Sequence, residues 1–301
     1  MNPRTVLGVI GYGEVGGIFA RGLLGQPGMG AVQTWDLKFA GETGVAAQAA
    51  ATADGIQAMD SMAALCAQAT LLVSAVTASN TLAVAEQAAQ HARPGTVFLD
   101  LNSASPGTKQ RAAAALEAVG AHYVEAGVMT SVPPYGIRVP MLLGGAHAVA
   151  LAATLNGWGM DAKPVSEKLG VASAIKMSRS IMIKGLEALV VEAYTNARAY
   201  GVEDHVLPTL QETFPQIDWS QQGAYFFSRV VQHGKRRAEE MRESANTVKE
   251  TGFESTMASA IAAKQDWVAS LAREGVFQGL TGQSPWQAYA DRLLEQRSKV
   301  E

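Results

Sequence analysis

The stretch "TVLGVIGYGEVGGIFARGL", Thr5 to Leu23, decides how the first half of the chain folds. An apolar, β-branched run, Thr5 to Ile10, ends at Gly11-Tyr12-Gly13-Glu14-Val15-Gly16, and beyond it apolar residues recur at helical spacing. Strand, G-x-G-x-x-G turn and helix in direct succession are the signature of a dinucleotide-binding unit. The first glycine permits the tight turn, the second lets a diphosphate approach the backbone, and the third lets helix and strand pack closely. The helix then offers its unpaired N–H groups and positive dipole end to that diphosphate. Gly11, Tyr12, Gly13, Glu14, Val15 and Gly16 are therefore read as cofactor-binding.

Asp36 stands twenty residues beyond Gly16, at the end of a second apolar run, Val32 to Trp35. A carboxylate there accepts hydrogen bonds from the adenosine ribose and repels a 2′-phosphate, which favours NAD over NADP. Lys38, two residues on, offsets part of that repulsion and keeps NADP open.

Further short runs follow at Gly55 to Met59, Leu71 to Val76, Thr96 to Leu101 and His122 to Glu125, most of them separated by Ala-rich helical segments. That alternation predicts an α/β fold with a doubly wound parallel sheet of the Rossmann type. Pro140 to Leu143 would add an edge strand. After about residue 165 the pattern turns helical. Val171 to Tyr200 contains no proline, one internal glycine and apolar residues at nearly every helical angle, which predicts a long helix buried on most sides. Helices are also predicted at Trp219 to Gly234, Arg236 to Lys249, Glu254 to Glu274 and Trp286 to Arg297. The expected domains are 1–165, dinucleotide-binding, and 166–301, an all-helical domain for substrate binding and dimerisation.

Composition narrows the function classes. The 301 residues are 48% hydrophobic and 17% charged with a net charge of −3, which supports a sizeable core and gives no reason to expect nucleic acid. No run reaches the roughly 18 apolar residues that a membrane span needs. The single cysteine, Cys66, excludes an internal disulfide framework, and the N-terminus runs straight into a strand without the pattern of a signal peptide. A cytoplasmic location is expected. The five histidines are scattered without ligand spacing, so no metal site is expected.

Polar residues cluster just beyond the ends of the predicted strands, at Asn102, Ser103, Thr130 and Ser131, where open α/β sheets bind ligands. Val76, the last residue of the fourth run, and Thr77 just beyond it are read as cofactor-binding. "DLNSASPGTKQ" (Asp100 to Gln110) resembles the D-x-[SN]-[ST]-x-x-P segment of the β-hydroxyacid dehydrogenases and their relative 6-phosphogluconate dehydrogenase. "EAGVMTSV" with "PMLLGG" (Glu125 to Gly145) is similar to that family's next block, and "GVASAIKMSRS" (Gly170 to Ser180) to its G-x-G-x-x-x-K-x-x-N-N helix. "HGKRRAEEMRESA" (His233 to Ala245) resembles a subgroup of bacterial oxidoreductases with a distinct helical C-terminal domain.

The resemblance implies a nicotinamide-dependent oxidoreductase, with Ser103 between nicotinamide ribose and substrate and Lys176 as the catalytic lysine. The residues support that role on their own terms. Lys176, Ser180 and Lys184 are spaced i, i+4 and i+8, a stripe that drifts about 40° per step through apolar neighbours. A lysine so surrounded must snorkel, pair or work, and desolvation moves an amine toward proton transfer at neutral pH. Two departures stand out. Arg179-Ser180 replaces the family's Asn-Asn, and Met129-Thr130-Ser131 replaces its Ser-Gly-Gly, followed by a loop stiffened by Pro133-Pro134 that carries Tyr135 and Arg138. The first replaces a substrate-orienting amide with a shorter hydroxyl, and the second suits a bulkier or aromatic substrate.

His233 is a candidate substrate contact, since Gly234 is read as a break that would turn imidazole and guanidinium groups inward. Lys264 matches a family lysine near the cofactor, although Gln265 intervenes before Asp266. A homodimer through the helical domain is expected. Two other readings remain open, an imine reductase on the same scaffold and a dinucleotide-binding sensor without catalysis; Lys176 counts against the first, and Lys176 together with the polar loop against the second.

Overall fold

A computed structural model of the chain describes residues 4–41 and 44–297. The first half consists of β1 (Thr5–Ile10), α1 (Glu14–Leu23), β2 (Met29–Trp35), α2 (Gly44–Ala53), β3 (Gln57–Ala58), α3 (Met62–Gln68) and β4 (Leu71–Ser74). It continues with α4 (Thr81–Ala89), β5 (Val97–Asp100), α5 (Pro106–Glu117), β6 (His122–Val128), β7 (Pro140–Gly144), α6 (Ala148–Gly157) and β8 (Asp161–Ser166). The second half is α7 (Val171–Tyr200), α8 (Glu203–Thr213), α9 (Trp219–Glu250), α10 (Thr256–Arg273) and α11 (Trp286–Arg297).

The eight strands form one sheet in the order β3-β2-β1-β4-β5-β6-β7-β8. All pairs from β3 to β6 are parallel, β7 is antiparallel to β6, and β8 is parallel to β7. Pro140–Gly144 is therefore an inner strand rather than the predicted edge. The edge is Asp161–Ser166, whose Pro164 has no N–H to give a ladder and is tolerated there. Alternation along the strands sorts side chains to two cores. Leu7, Val9, Val73 and Leu99 pack with Phe19 and Leu23 on one face, while Ile10, Leu72 and Phe98 pack with Leu65, Leu116 and Tyr123 on the other. Burial on both faces is what a parallel sheet demands. From β3 the chain crosses to β4 beside β1, creating a switch point at the carboxyl ends of β1 and β4.

The chain divides into compact units at Met1–Met177 and Ser178–Glu301, within α7. The helical unit has its own core around Val191, Tyr194, Phe227, Val230, Trp286 and Tyr289. Tyr194 and Trp286 meet edge to face at 4.8 Å, and the Tyr194 hydroxyl donates to the Trp219 carbonyl at 2.9 Å. Two expectations fail here. Residues 219–250 form one unbroken helix, with no interruption at Gly234. A side chain at that position would put Cβ 2.7 Å from the Gln265 carbonyl oxygen, so Gly234 is there to let α10 approach. The long helix α7 is also not buried on most sides. Ile175, Met182 and Leu189 are 40%, 74% and 57% exposed in the single chain. Among the described residues no helix is long and apolar enough to cross a membrane.

Candidate active site

The glycine turn is built as the sequence predicts. Gly11 has φ +92°, and a Cβ there would fall 2.6 Å from the Ala75 carbonyl oxygen; a Cβ on Gly16 would fall 1.8 Å from that of Gly11. Only glycine serves at either position. Gly13, at the N-cap of α1, meets nothing within 4 Å, which leaves backbone N–H groups open to a ligand at a helix N-terminus. Gly11 N donates to the Trp35 carbonyl at 2.9 Å, joining the turn to the end of β2. There Asp36 accepts from Tyr12 N at 2.7 Å and from Lys38 N at 2.9 Å, so the carboxylate is held beside the turn with lone pairs to spare. Open space at Gly13 beside a fixed acid suits a dinucleotide. Tyr12 is itself anchored: its hydroxyl donates to Asp54, which pairs with Arg21 at 2.9 Å. Burial first, and then Asp54, raise the Tyr12 pKa. The side chains of Glu14 and Lys38 are exposed.

At the neighbouring strand ends, Asn102 is buried and committed. Its side-chain oxygen accepts from Val76 N at 2.7 Å, its amide donates to Ser74 Oγ at 2.9 Å, and its own N–H donates to Asp100 at 2.9 Å. Asn102 thereby ties β4 to β5 and sets the backbone of Val76 and, beyond its own position, of Ser103. Thr77 accepts from the Asn80 amide at 2.9 Å, forming the turn into α4. Beneath this loop lies a fully buried ion pair, which residue type alone does not announce. Lys109 Nζ stands 2.9 Å from Asp100 and 3.1 Å from its carbonyl oxygen, and the Tyr123 hydroxyl donates to the same carboxylate at 2.6 Å. Burial, then the neighbouring Asp100, holds the Tyr123 pKa well above its ordinary value. Ser105 caps α5 by accepting from Thr108 N at 3.2 Å, with Pro106 in the first turn.

Beyond β6 the loop turns at Val132, whose carbonyl accepts from Tyr135 N and Gly136 N at 3.0 and 2.8 Å. Thr130 and Tyr135 are exposed and Ser131 is half-buried. The loop is fastened by Ile137, which occupies the space a Cβ on Gly22 of α1 would need.

Lys176 is partly buried in the second turn of α7. A Cβ on Gly127 of β6 would lie 3.0 Å from the Ala172 carbonyl oxygen and 3.4 Å from Lys176 Cβ. The lysine backbone thus sits directly on the strand at its carboxyl-terminal end, the sheet edge that also carries the glycine turn, Asp36 and Asn102. The start of α7 is held by Glu125, two residues before Gly127 and on the same strand face. Its fully buried carboxylate accepts from Gly170 N at 2.7 Å, Ala172 N at 3.2 Å, Ser173 N at 3.2 Å and the Ser173 hydroxyl. Glu125 lies within the Glu125–Gly145 block, but its partners are three backbone N–H groups and one hydroxyl more than forty residues away, and residue type does not announce those.

The helical unit holds Ser180, His233 and Lys264. Ser180 is buried on α7, and His233 is half-buried within continuous α9. Lys264 pairs with Glu192 at 2.6 Å and stands 5.1 Å from the Trp267 ring centroid. Lys184 pairs with Glu240 at 2.9 Å, and buried Arg237 pairs with Glu187. One turn before His233, half-buried Arg229 has its pKa lowered by burial and then by Arg237.

Comparison with known proteins agrees with this architecture. Residues 6–147 match the family described as the NAD binding domain of 6-phosphogluconate dehydrogenase, and residues 197–268 match a domain of unknown function. A conserved hypothetical protein from Sinorhizobium meliloti 1021 is 36% identical over 98% of this chain and 97% of its own, with a TM-score of 0.77. An uncharacterized 28.5 kDa protein of Methanothermus fervidus is 28% identical over 180 residues; the match covers 58% of this chain and 65% of that relative. A 3-hydroxyisobutyrate dehydrogenase of Mycobacterium tuberculosis, solved with L-serine, shares the fold over 96% of this chain and 99% of its own at 15% identity and a TM-score of 0.68. The fold also extends to a reductive aminase of Aspergillus terreus solved with NADPH4, cyclohexanone and allyl amine, 19% identical over 96% and 99% of the two chains at a TM-score of 0.57. The chain thus joins a 6-phosphogluconate dehydrogenase-like NAD binding domain, residues 6–147, to a C-terminal domain of unknown function, residues 197–268.

Proposed function

We propose that this protein is an NAD-dependent dehydrogenase that oxidises the alcohol of a hydroxy acid, or reduces the corresponding carbonyl, with Lys176 as general acid and base. The observation that carries the reading is the seat of Lys176 on Gly127, at the same strand-end edge as the open glycine turn and Asp36. Bound nicotinamide supplies the hydride chemistry. In the oxidative direction the Lys176 amine takes the hydroxyl proton of the substrate; in the reductive direction the ammonium polarises the carbonyl and returns that proton. Ser103 and Thr130-Ser131 flank the substrate. Asn102 acts from beneath, keeping Val76 and Ser103 in place. Asp36 binds the adenosine ribose and disfavours a 2′-phosphate by like charge.

Spectrophotometric assay of NAD and NADP reduction over a panel of hydroxy acids and aromatic alcohols, run in reverse with carbonyls alone and with added amine, tests the proposal. Turnover of alcohols with NAD preferred is expected. Turnover only of carbonyl plus amine would make the protein an imine reductase. Tight NAD binding without turnover on either panel would make it a sensor.

The same reading includes a homodimer formed through α7. Ile175, Met182 and Leu189 are spaced i, i+7 and i+14, so their exposed apolar side chains form one stripe, which a second copy would cover. Sedimentation should report a dimer for the wild type and a monomer for Met182→Glu/Leu189→Glu. An unchanged dimer in that variant would refute the stripe as the interface.

A further inference from the structure

We propose that Glu125 is the positioning residue for Lys176: its buried carboxylate, gripping the first turn of α7, fixes the height and rotation at which that helix presents the lysine. The proposal rests on the assignment of Lys176 as the proton carrier. Three observations converge on it. One carboxylate oxygen takes Gly170 N and Ala172 N, and the other takes Ser173 N and the Ser173 hydroxyl, so both the axial and the rotational position of the turn are specified. Ser173 and Lys176 are spaced i, i+3 and share one helix face, so holding Ser173 aims Lys176. Gly127, next on the same strand face, removes the Cβ that would push α7 away at Ala172 and Lys176.

The carboxylate has no cation of its own among the described residues, and its charge is met by the N-terminal N–H groups and dipole of α7. A residue kept only for stability could satisfy the strand with an apolar side chain. Here an ionisable group is completely buried and all of its donors lie between Gly170 and Ser173, at the start of the helix that carries the lysine. Gly144 on β7 completes the seat. A Cβ there would lie 2.4 Å from the Glu125 Oε1 atom and 3.0 Å from its Cγ, so Gly144→Ala displaces the carboxylate without removing it.

Glu125→Gln keeps the shape but turns one acceptor oxygen into a donor. With its oxygen kept on Gly170 N and Ala172 N, its NH₂ faces the N–H of Ser173. The test compares wild type, Glu125→Gln, Gly144→Ala and Ser61→Ala, the last removing the cap that accepts from Ala64 N at 3.1 Å at the start of α3. For each, kcat and KM are measured on the hydroxy acid that wild type turns over fastest, with the nicotinamide cofactor Kd by fluorescence. The pH profile of Lys176 acylation is followed by peptide mass spectrometry, a readout that needs no turnover. Glu125→Gln and Gly144→Ala should lower kcat about 10- to 100-fold with cofactor Kd unchanged. They should also shift the Lys176 acylation profile, while Ser61→Ala leaves kcat and the profile as in wild type. A wild-type kcat and acylation profile in both Glu125→Gln and Gly144→Ala would overturn the proposal. So would an equal kcat loss in Ser61→Ala, which would mark general loosening. If Glu125→Gln does not fold, Gly144→Ala carries the same outcomes. A wild type inactive on the whole panel would sink the assignment of Lys176 as proton carrier, and the acylation profile would still decide whether Glu125 positions it.

Discussion

Asp100 and Glu125 are register partners on the adjacent parallel strands β5 and β6, both fully buried, and the fold satisfies them in opposite ways. Asp100 receives a side-chain cation, Lys109, together with the Tyr123 hydroxyl and the Asn102 N–H. Glu125 receives one hydroxyl and three backbone N–H groups from the start of a helix. The difference separates two kinds of buried charge. Matched by a side chain, a carboxylate closes a local unit, here the loop carrying Asn102 and Ser103. Matched by backbone, it passes its own geometry to a whole helix, and with it to Lys176.

Breaking the Asp100 unit gives the largest expected effect. Lys109→Met leaves a buried carboxylate without its cation and should cost about 3–5 kcal/mol of unfolding free energy by urea titration. The double variant Asp100→Asn/Lys109→Met should be more stable than Lys109→Met alone, because the orphaned charge is gone. A double variant no better than the single would show that packing, not charge, holds the loop. On the other side of the comparison, Ser173→Ala removes one hydroxyl from the Glu125 carboxylate and should cost about 1.5–3 kcal/mol. A smaller loss than for Lys109→Met is required if backbone donors carry most of that site. Cys66 shows a third way to bury an ionisable group, by leaving it neutral. Burial raises its thiol pKa to about 11, so near pH 8 almost none is thiolate. Iodoacetamide should leave Cys66 unmodified in the native protein and alkylate it after denaturation; rapid native labelling would contradict that burial.

The glycine turn and the strand-helix alternation were legible because local backbone geometry demands their residues. Gly11 and Gly16 each stand where a Cβ would strike a carbonyl oxygen, and that demand is written into the motif. Gly234 shows the limit of the same logic. Inside a helical pattern a glycine reads as a break, yet here it answers to a helix from elsewhere in the chain, and α9 runs through it. The edge strand β8 is not legible in the sequence because its proline and lysine break the alternation that marks a strand. Lys176 stood out as a lysine among apolar residues, whereas the group that holds its helix did not. Glu125 is one acid at the end of an apolar run, and its meaning comes from donors 45 to 48 residues away. The apolar stripe on α7 reads as core in the sequence, because apolar periodicity marks a face without saying whether the chain's own fold covers it.

The most direct test of the account is the turnover of Lys176→Met on the preferred hydroxy acid, with cofactor affinity measured on the same preparation. Lys176→Met should lower kcat about 10²- to 10⁴-fold and remove the wild-type ionisation from the pH profile, with cofactor Kd unchanged. A Lys176→Met enzyme that keeps the wild-type kcat and pH profile would contradict it.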